Sequence, residues 1–130
     1  MAIPRRDDVQ YLGAVSDAEV GEWMSRALAV VMPSAQESLS MATLEAMASG
    51  CPVIVYRSSP VLVAHLEQSE AGFLYANHTE WSQAVDTLRA SPSLIRKLGE
   101  RGQRYIQEHY GKERVLRSLV AEIEAATHEV

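Results

Sequence analysis

The sequence contains very little cysteine and fewer basic than acidic residues. One cysteine in 130 residues excludes an internal disulfide and fits a reducing cytoplasm. Twelve Lys and Arg residues against 17 Asp and Glu give a net charge of -5, so no overall basic field attracts nucleic acid or anionic lipid. No apolar run approaches the roughly 20 residues that span a bilayer, and residues 1–8 lack the apolar core of a signal peptide. We therefore predict a cytoplasmic protein with no transmembrane segment and no nucleic-acid partner.

Internal repeats, low-complexity tracts and Gly/Ser linkers are also missing. The length of 130 residues is close to the commonest domain size, which predicts a single domain over residues 1–130. Apolar residues make up 47% and charged residues 22%, a composition that argues against intrinsic disorder. The single cysteine, Cys51, enters an apolar run without a basic neighbour, so we predict a core residue and not a nucleophile.

Strand-like and helix-like segments alternate in the first part of the chain. Unbroken apolar strands between amphipathic helices are typical of a parallel sheet covered on both faces. We therefore predict an α/β fold, with a sheet of about four strands flanked by helices and closed by a C-terminal helical tail. The predicted strands are residues 8–13, 28–32, 52–56 and 71–75.

Apolar stripes and capping residues predict about six helices. Ser16 and Glu19 have the S-x-x-E spacing of a capping box, ahead of a stripe that is expected to face inward. Ser93 is predicted to cap the longest helix, which ends at residues 109–111, where a glycine follows. Four further helices are predicted. One ends at Gly50, a short one covers residues 61–67, a third ends near residues 91–92, and the last carries an apolar stripe over residues 115–123.

The segment 33–53, which joins the second predicted strand to the third, carries two glutamates eight residues apart. Open α/β proteins hold their ligands at such strand–loop–helix joints. If the helix begins at residues 38–40, Glu37 lies at its mouth and Glu45 two turns further on, about 80° apart around the helix. An alternative stays open, because Ser34 and Glu37 also form an S-x-x-E capping box and Glu45 is then a solvated helix residue.

The same helix start offers backbone donors. The N–H groups of Leu39, Ser40 and Met41 would point out of the helix end, which is a ready site for phosphate. Carboxylates accept hydrogen bonds from hydroxyl groups. The backbone N–H groups and the two glutamates together therefore suit a ligand that carries both phosphate and sugar hydroxyls.

Five motifs follow one another along the chain. They are V-x-YLG-x-VSD-x-E at residues 9–19, PS-x-x-ESLS at 33–40, LEAMASG-x-PV at 44–53, EAGFLY at 70–75 and LGERG-x-R-x-x-x-E-x-Y at 98–110. In this order and register they resemble the donor-site region of the retaining glycosyltransferases of the GT-B fold, the group 1 (family 4) class. The resemblance runs from about residue 8 to residue 120. It implies a partial Rossmann-like sheet, the latter part of the C-terminal, nucleotide-sugar donor domain.

The resemblance implies a role for each matching residue. Glu37 corresponds to the glutamate that contacts the donor sugar and helps to hold it for transfer, which makes it the expected catalytic residue. Glu45 corresponds to the glutamate that hydrogen-bonds the ribose, and the N–H groups of Ser40 and Met41 are expected near the donor phosphates. The expected donor-binding residues are Ser38, Leu39, Ser40, Met41 and Glu45.

Two departures from the family pattern lie close to this region. Leu39 and Ser40 stand where many members carry Phe-Gly, so Ser40 is expected to bring a side chain toward the phosphates. Residues 57–60 read Arg-Ser-Ser-Pro where members often carry a Gly-Gly-x-x-Glu segment, and no donor-sugar contact is predicted there.

The resemblance further implies transfer of a hexosyl group from a nucleotide sugar to a glycan or lipid-linked acceptor, as in cell-envelope polysaccharide biosynthesis. No cofactor and no metal are expected, in keeping with a sequence that has no Asp-x-Asp motif and no His/Cys ligand cluster. An N-terminal acceptor domain, the early strands of the donor domain and a basic pair on the diphosphate are expected outside this chain. Without those cations the isolated chain is expected to be inactive. The full-length enzyme is expected in the cytoplasm, including the inner face of the membrane.

A second interpretation belongs to a different class. The sheet edge left by absent strands predicts a homodimer. In this second interpretation the chain is a non-catalytic Rossmann-like remnant whose exposed sheet edge or helical tail acts only in assembly. The sequence does not distinguish UDP, GDP and ADP as the donor nucleotide.

Overall fold

The computed structural model describes residues 7–36 and 38–110. Within them the helices and strands alternate along most of the chain, and two helices follow the last strand. The elements are α1 (Asp17–Arg26), β1 (Val30–Met32), α2 (Met41–Ala48), β2 (Val53–Tyr56), α3 (Pro60–Ser69), β3 (Gly72–Tyr75), α4 (His78–Ala90) and α5 (Pro92–His109).

The three strands form one parallel sheet in the order β1-β2-β3. Val53 of β2 lies opposite Val30 of β1 and Gly72 of β3, so β2 is the central strand. The predicted α/β class and parallel sheet are confirmed, as are the strands predicted at 28–32, 52–56 and 71–75. Two successive β-α-β units, β1-α2-β2 and β2-α3-β3, connect them.

The strand predicted at residues 8–13 is wrong. This segment has no regular secondary structure, and its large apolar side chains are exposed, Tyr11 by 77%. A strand is stabilised by hydrogen bonds to a neighbouring strand, and residues 8–13 pair with none of the described strands. The sheet of the described residues therefore has three strands.

Helices cover both faces of the sheet. Val53 and Val55 of β2 face a cluster that α2, α3 and the second half of α5 complete, including Leu44, Leu62 and Tyr105. Ile54 points the opposite way and packs with residues from α4 and the first half of α5. Since side chains alternate along a strand, an apolar strand flanked on both faces is the arrangement that the unbroken apolar runs predict.

Capping residues set most helix starts. Ser16 accepts from the N–H of Glu19 and is the cap of α1, as predicted. The Glu19 carboxylate lies 3.3 Å from the Ser16 hydroxyl, so the reciprocal bond of the predicted box is not the one that forms, and α1 buries no residue completely. The cap of α5 is Ser91, not Ser93 as predicted. Ser91 is extended and accepts from the N–H of Leu94, while Pro92 takes the first helical position, where its missing N–H costs nothing.

The end of α5 at His109 agrees with the prediction. The predicted apolar stripe over residues 115–123 lies outside the described residues. In the part of the chain that the structure describes, no helix is both long enough and apolar enough to cross a membrane.

Candidate active site at the start of helix α2

The predicted joint lies between the carboxyl end of β1 and the start of α2. Residues 33–40 connect the two elements, and Glu37 within this loop lies outside the described residues. Ser38 is exposed and Leu39 is half-buried. The crevice outside the carboxyl ends of parallel strands is where open α/β sheets bind ligands. The structure therefore brings the predicted donor-binding loop to the expected edge of the sheet.

Ser40 determines where α2 begins. Its backbone has φ 61° and ψ 67°, the left-handed conformation. A left-handed residue cannot belong to a right-handed helix, so α2 starts at Met41, just after the predicted range of 38–40. Glycine, which many members of the resembled family carry at this position, adopts this conformation without a steric cost.

The Ser40 side chain is turned inward. The residue is only 5% exposed, and its Oγ lies 2.6 Å from Oγ1 of the buried Thr43. The hydroxyl is thus engaged by the first turn of α2. This differs from the expectation that Ser40 would bring its side chain toward the phosphates, because the hydroxyl is hydrogen-bonded to the buried Thr43 instead.

The first turn of α2 presents its backbone donors at the mouth of the helix. The first hydrogen bond of the helix joins the N–H of Leu44 to the Ser40 carbonyl, 3.2 Å away. The N–H groups of Met41, Ala42 and Thr43 precede it and have no acceptor within the helix. The Ser40 side chain does not cap them. Of the predicted donors Leu39, Ser40 and Met41, only Met41 belongs to the helix. The helix dipole adds a partial positive charge at this end, which favours an anion.

Glu45 lies on the exposed face of α2, between residues that are buried in the core. It is the fifth residue of the helix, so it lies a little more than one turn from the start and not two turns as predicted. Because α2 starts four residues after Glu37, the predicted 80° angle between the two glutamates does not apply. Ser34 precedes the helix by seven residues and is not its cap, which removes the capping-box alternative for α2.

His65, on α3, is the residue that sequence reasoning missed. Its ring is 5% exposed, and both nitrogens are engaged: Nε2 lies 2.8 Å from the Leu39 carbonyl oxygen and Nδ1 lies 2.8 Å from the Tyr105 hydroxyl. A signal for it was present in the sequence. Leu62, His65, Leu66 and Ser69 recur with helical spacing and are all buried, so His65 lies on the inward face of α3.

Tyr105 reaches the same place from α5. Its hydroxyl is buried, and burial, followed by interactions with Tyr110, raises the pKa of Tyr105 well above its usual range. The hydroxyl therefore keeps its proton and remains a donor. The rings of Tyr105 and Tyr110 lie edge-on to the His65 ring, with centroids 5.9 and 6.0 Å away.

The loop after β2 initiates a helix. Ser59 is buried and accepts from the N–H of Leu62, and Pro60 follows it as the first residue of α3. Arg57 is exposed and forms an ion pair with Glu80 of α4, with N and O atoms 3.6 Å apart. The Ser-Ser-Pro sequence thus has a local structural role here.

Cys51 is a core residue, as predicted. It is 2% exposed, and its S–H donates to the Ala27 carbonyl 3.6 Å away. Burial raises the pKa of the thiol to about 11, and a backbone hydrogen bond with Val30 opposes this shift in part. In residues 7–36 and 38–110, no three His, Cys, Asp or Glu side chains form a group that could hold a metal ion.

Comparison with known protein families identifies a family whose sequence model covers the β1–α2 joint. The model of the family described as glycosyl transferases group 1 matches residues 4–105. The chain belongs to this family. The group 1 match includes the β1–α2 joint, α3 and most of α5, and begins and ends earlier than the predicted limits of residues 8 and 120.

Three bacterial relatives show the extent of the similarity. The O-antigen chain mannosyltransferase RfbU of Salmonella typhimurium is 35% identical over 103 residues, which cover 77% of this chain and 28% of that protein. The MMP alpha-(1->4)-mannosyltransferase of Mycolicibacterium hassiacum is 30% identical over 122 residues, 92% of this chain and 30% of that protein. The D-inositol 3-phosphate glycosyltransferase of Streptomyces bingchenggensis is 29% identical over 107 residues, 81% of this chain and 23% of that protein.

The chain therefore spans less than a third of the length of each of these curated relatives. No solved structure matches it.

Proposed function

We propose that this group 1 glycosyltransferase chain forms the nucleotide-sugar donor site of a retaining enzyme with the GT-B fold. The reaction transfers a hexosyl group from a nucleotide sugar to a glycan or lipid-linked acceptor. The observation that carries the proposal is the β1–α2 joint of a group 1 family member, where a helix start without a side-chain cap lies one turn from an exposed glutamate. Relatives named as mannosyltransferases support a hexose as the transferred group.

Each part of the joint suits one part of such a donor. The N–H groups at the start of α2 and the positive end of its dipole suit the diphosphate, with Ser38, Leu39, Ser40 and Met41 around it. Glu45 is exposed on the same helix, and its carboxylate suits the ribose hydroxyls as an acceptor. Glu37, which lies outside the described residues, is assigned to the donor sugar, because its position in the motif matches that of the sugar-binding glutamate.

The remaining parts of the reaction are assigned to the longer protein. The acceptor domain and the cations that neutralise the leaving diphosphate are expected there, so the isolated chain binds donor but transfers sugar poorly. No metal or cofactor is assigned to the donor site. A cytoplasmic location, peripheral to the inner face of the membrane, belongs to the same proposal.

Calorimetric titration of the chain with UDP, GDP and ADP tests the proposal. Binding of one nucleotide is expected, and Glu45→Ala should weaken it by about tenfold to a hundredfold, the loss of a hydrogen bond to a charged group. Glu100→Ala is the matched control, since Glu100 is an exposed glutamate on α5. Absence of binding to all three nucleotides at millimolar protein would reject the donor site.

A second candidate function, assembly without catalysis, is favoured by one observation. The N-terminal part of the described chain exposes five large apolar side chains, and β1 is an edge of the described sheet. Exposed apolar side chains and an open strand edge each favour association with another chain. The five residues are Val9, Tyr11, Leu12, Trp23 and Val31.

A further inference from the structure

We propose that His65 is a positioning residue that aims the backbone N–H of Ser40 at the donor phosphates. The inference rests on the proposed function and deepens it, because it adds a buried residue from α3 to a site otherwise built from the β1–α2 joint. His65 lies behind the loop and is almost completely buried. It therefore acts through the backbone and does not touch the donor.

The hydrogen bonds define the state of the ring. A carbonyl oxygen can only accept, so Nε2 of His65 carries a hydrogen and donates it to the Leu39 oxygen at 2.8 Å. In the neutral ring Nδ1 is then the acceptor, and the Tyr105 hydroxyl at 2.8 Å is its donor. The same hydroxyl has a second acceptor, Gln68 Oε1, at the longer distance of 3.5 Å. The Leu39 carbonyl thus requires the Nε2–H tautomer, and the Tyr105 hydroxyl, which can donate or accept, provides the partner of Nδ1.

The consequence for Ser40 follows from the geometry of the peptide. The Leu39 carbonyl and the Ser40 N–H belong to the same peptide unit, which is planar and trans, since the described residues contain no cis peptide bond. In a trans peptide the C=O and N–H point in opposite directions. When His65 holds the oxygen from the core side, the Ser40 N–H is directed away from the core.

The position needs such support because Ser40 is strained. Its left-handed backbone, with φ 61°, is disfavoured for a serine relative to the right-handed form. Three hydrogen bonds surround the residue: His65 on the preceding carbonyl, Thr43 on the Ser40 hydroxyl and the Leu44 N–H on the Ser40 carbonyl. Of these, only the bond from His65 connects the loop to another helix and, through Tyr105, to α5.

The test compares three substitutions in the whole chain, using whichever of UDP, GDP and ADP binds the wild type. His65→Leu keeps a similar volume but removes both hydrogen bonds, and it should weaken nucleotide binding about tenfold, the value of one hydrogen bond to a charged phosphate. His65→Gln carries an amide NH₂ that can donate to the Leu39 carbonyl and an amide oxygen that can accept from Tyr105, and it should restore affinity to within about threefold of wild type. Tyr105→Phe should have an intermediate effect, because it leaves the Leu39 bond but removes the hydroxyl that holds Nδ1 of His65.

Leu88→Ala is the control for loss of stability. Leu88 is buried on the opposite face of the sheet, in the cluster around Ile54. At a temperature where all variants are folded, Leu88→Ala should destabilise the chain without changing the nucleotide dissociation constant. Equal weakening by Leu88→Ala and His65→Leu would assign the effect to stability and overturn the inference.

A readout without nucleotide separates this inference from the proposed function. In His65→Leu, the amide hydrogen of Leu44 should exchange faster than in Leu88→Ala, while amides of β2 should follow global stability in both. Nitrogen NMR shifts of the wild-type His65 ring should report the Nε2–H tautomer. If the wild type binds a nucleotide and His65→Leu binds it equally well, the inference about His65 is overturned and the proposed function is not. If the wild type binds no nucleotide, the proposed function is overturned and this inference with it.

Discussion

Ser40 combines a disfavoured backbone with a buried polar side chain, and two substitutions separate these contributions. Ser40→Ala removes the hydrogen bond to Thr43 and keeps the left-handed strain. Ser40→Gly removes the same bond but relieves the strain, so we expect it to be more stable than Ser40→Ala by about 1–2 kcal/mol. Urea unfolding of the two variants measures the difference directly. Equal stabilities would show that the left-handed backbone is not maintained in solution.

Cys51 is predicted to be unreactive in the folded chain. Burial raises its pKa from 9.0 to about 11, so the thiolate that reacts with disulfide reagents is scarce at pH 8. Modification should therefore be very slow in native buffer and fast in urea. Rapid stoichiometric modification of the folded chain at pH 8 would contradict the buried position.

The same thiol also predicts a pH dependence of stability. A pKa that is higher in the folded state than in the unfolded state stabilises the fold fully below about pH 9, and this contribution is lost as pH rises through 11. The free energy of unfolding should fall by at most about 3 kcal/mol over this range. Cys51→Ala should show a smaller fall, measured by urea unfolding at several pH values.

At the scale of elements, α5 packs so closely that a methyl group does not fit. A Cβ added to Gly99 would lie 2.2 Å from the carbonyl oxygen of Gly50, which is backbone and cannot turn away. Gly99→Ala should therefore destabilise the chain by about 1–3 kcal/mol, although alanine favours a helix. Urea unfolding followed by circular dichroism measures the change.

Gly21 of α1 provides the matched control for this substitution. A Cβ at Gly21 would meet no atom within 4 Å, so only helix propensity changes. Gly21→Ala should stabilise the chain by about 0.5–1 kcal/mol. A loss of stability in Gly99→Ala together with a gain in Gly21→Ala would show that α5, and not α1, is packed tightly against the core. Two stabilising alanines would contradict the close approach of α5 to Gly50.

The elements differ in how far the sequence predicts them, for physical reasons. The apolar runs of β1, β2 and β3 favour parallel strands covered by helices, and their positions were predicted within two residues. Residues 8–13 contain the apolar residues Val9, Tyr11 and Leu12 but are interrupted by Gln10, and they have no neighbouring strand to pair with among the described residues. Sequence patterns show which residues are apolar and do not show which segment is available for pairing.

The site was predicted less completely than the sheet. The motif located Glu45 and the helix start, because both are encoded by neighbouring residues. The left-handed Ser40 and the His65 contact depend on packing between segments far apart in sequence, since Tyr105 lies 40 residues beyond His65. Such tertiary contacts leave only an indirect signal, here a histidine with helical spacing on the buried face of α3.

At the scale of the whole molecule, β1 pairs with β2 alone among the described strands, so its other edge is open to pairing. Val31 is 37% exposed on this edge strand. If the chain assembles through β1, light scattering should show a concentration-dependent dimer, and Val31→Lys should shift it to monomer, because a lysine on an edge strand opposes edge-to-edge pairing. Ala90→Lys adds the same charge at the exposed end of α4 and should leave the dimer intact. A monomer at millimolar concentration, together with nucleotide binding that depends on Glu45, would favour the donor-site function over the assembly function.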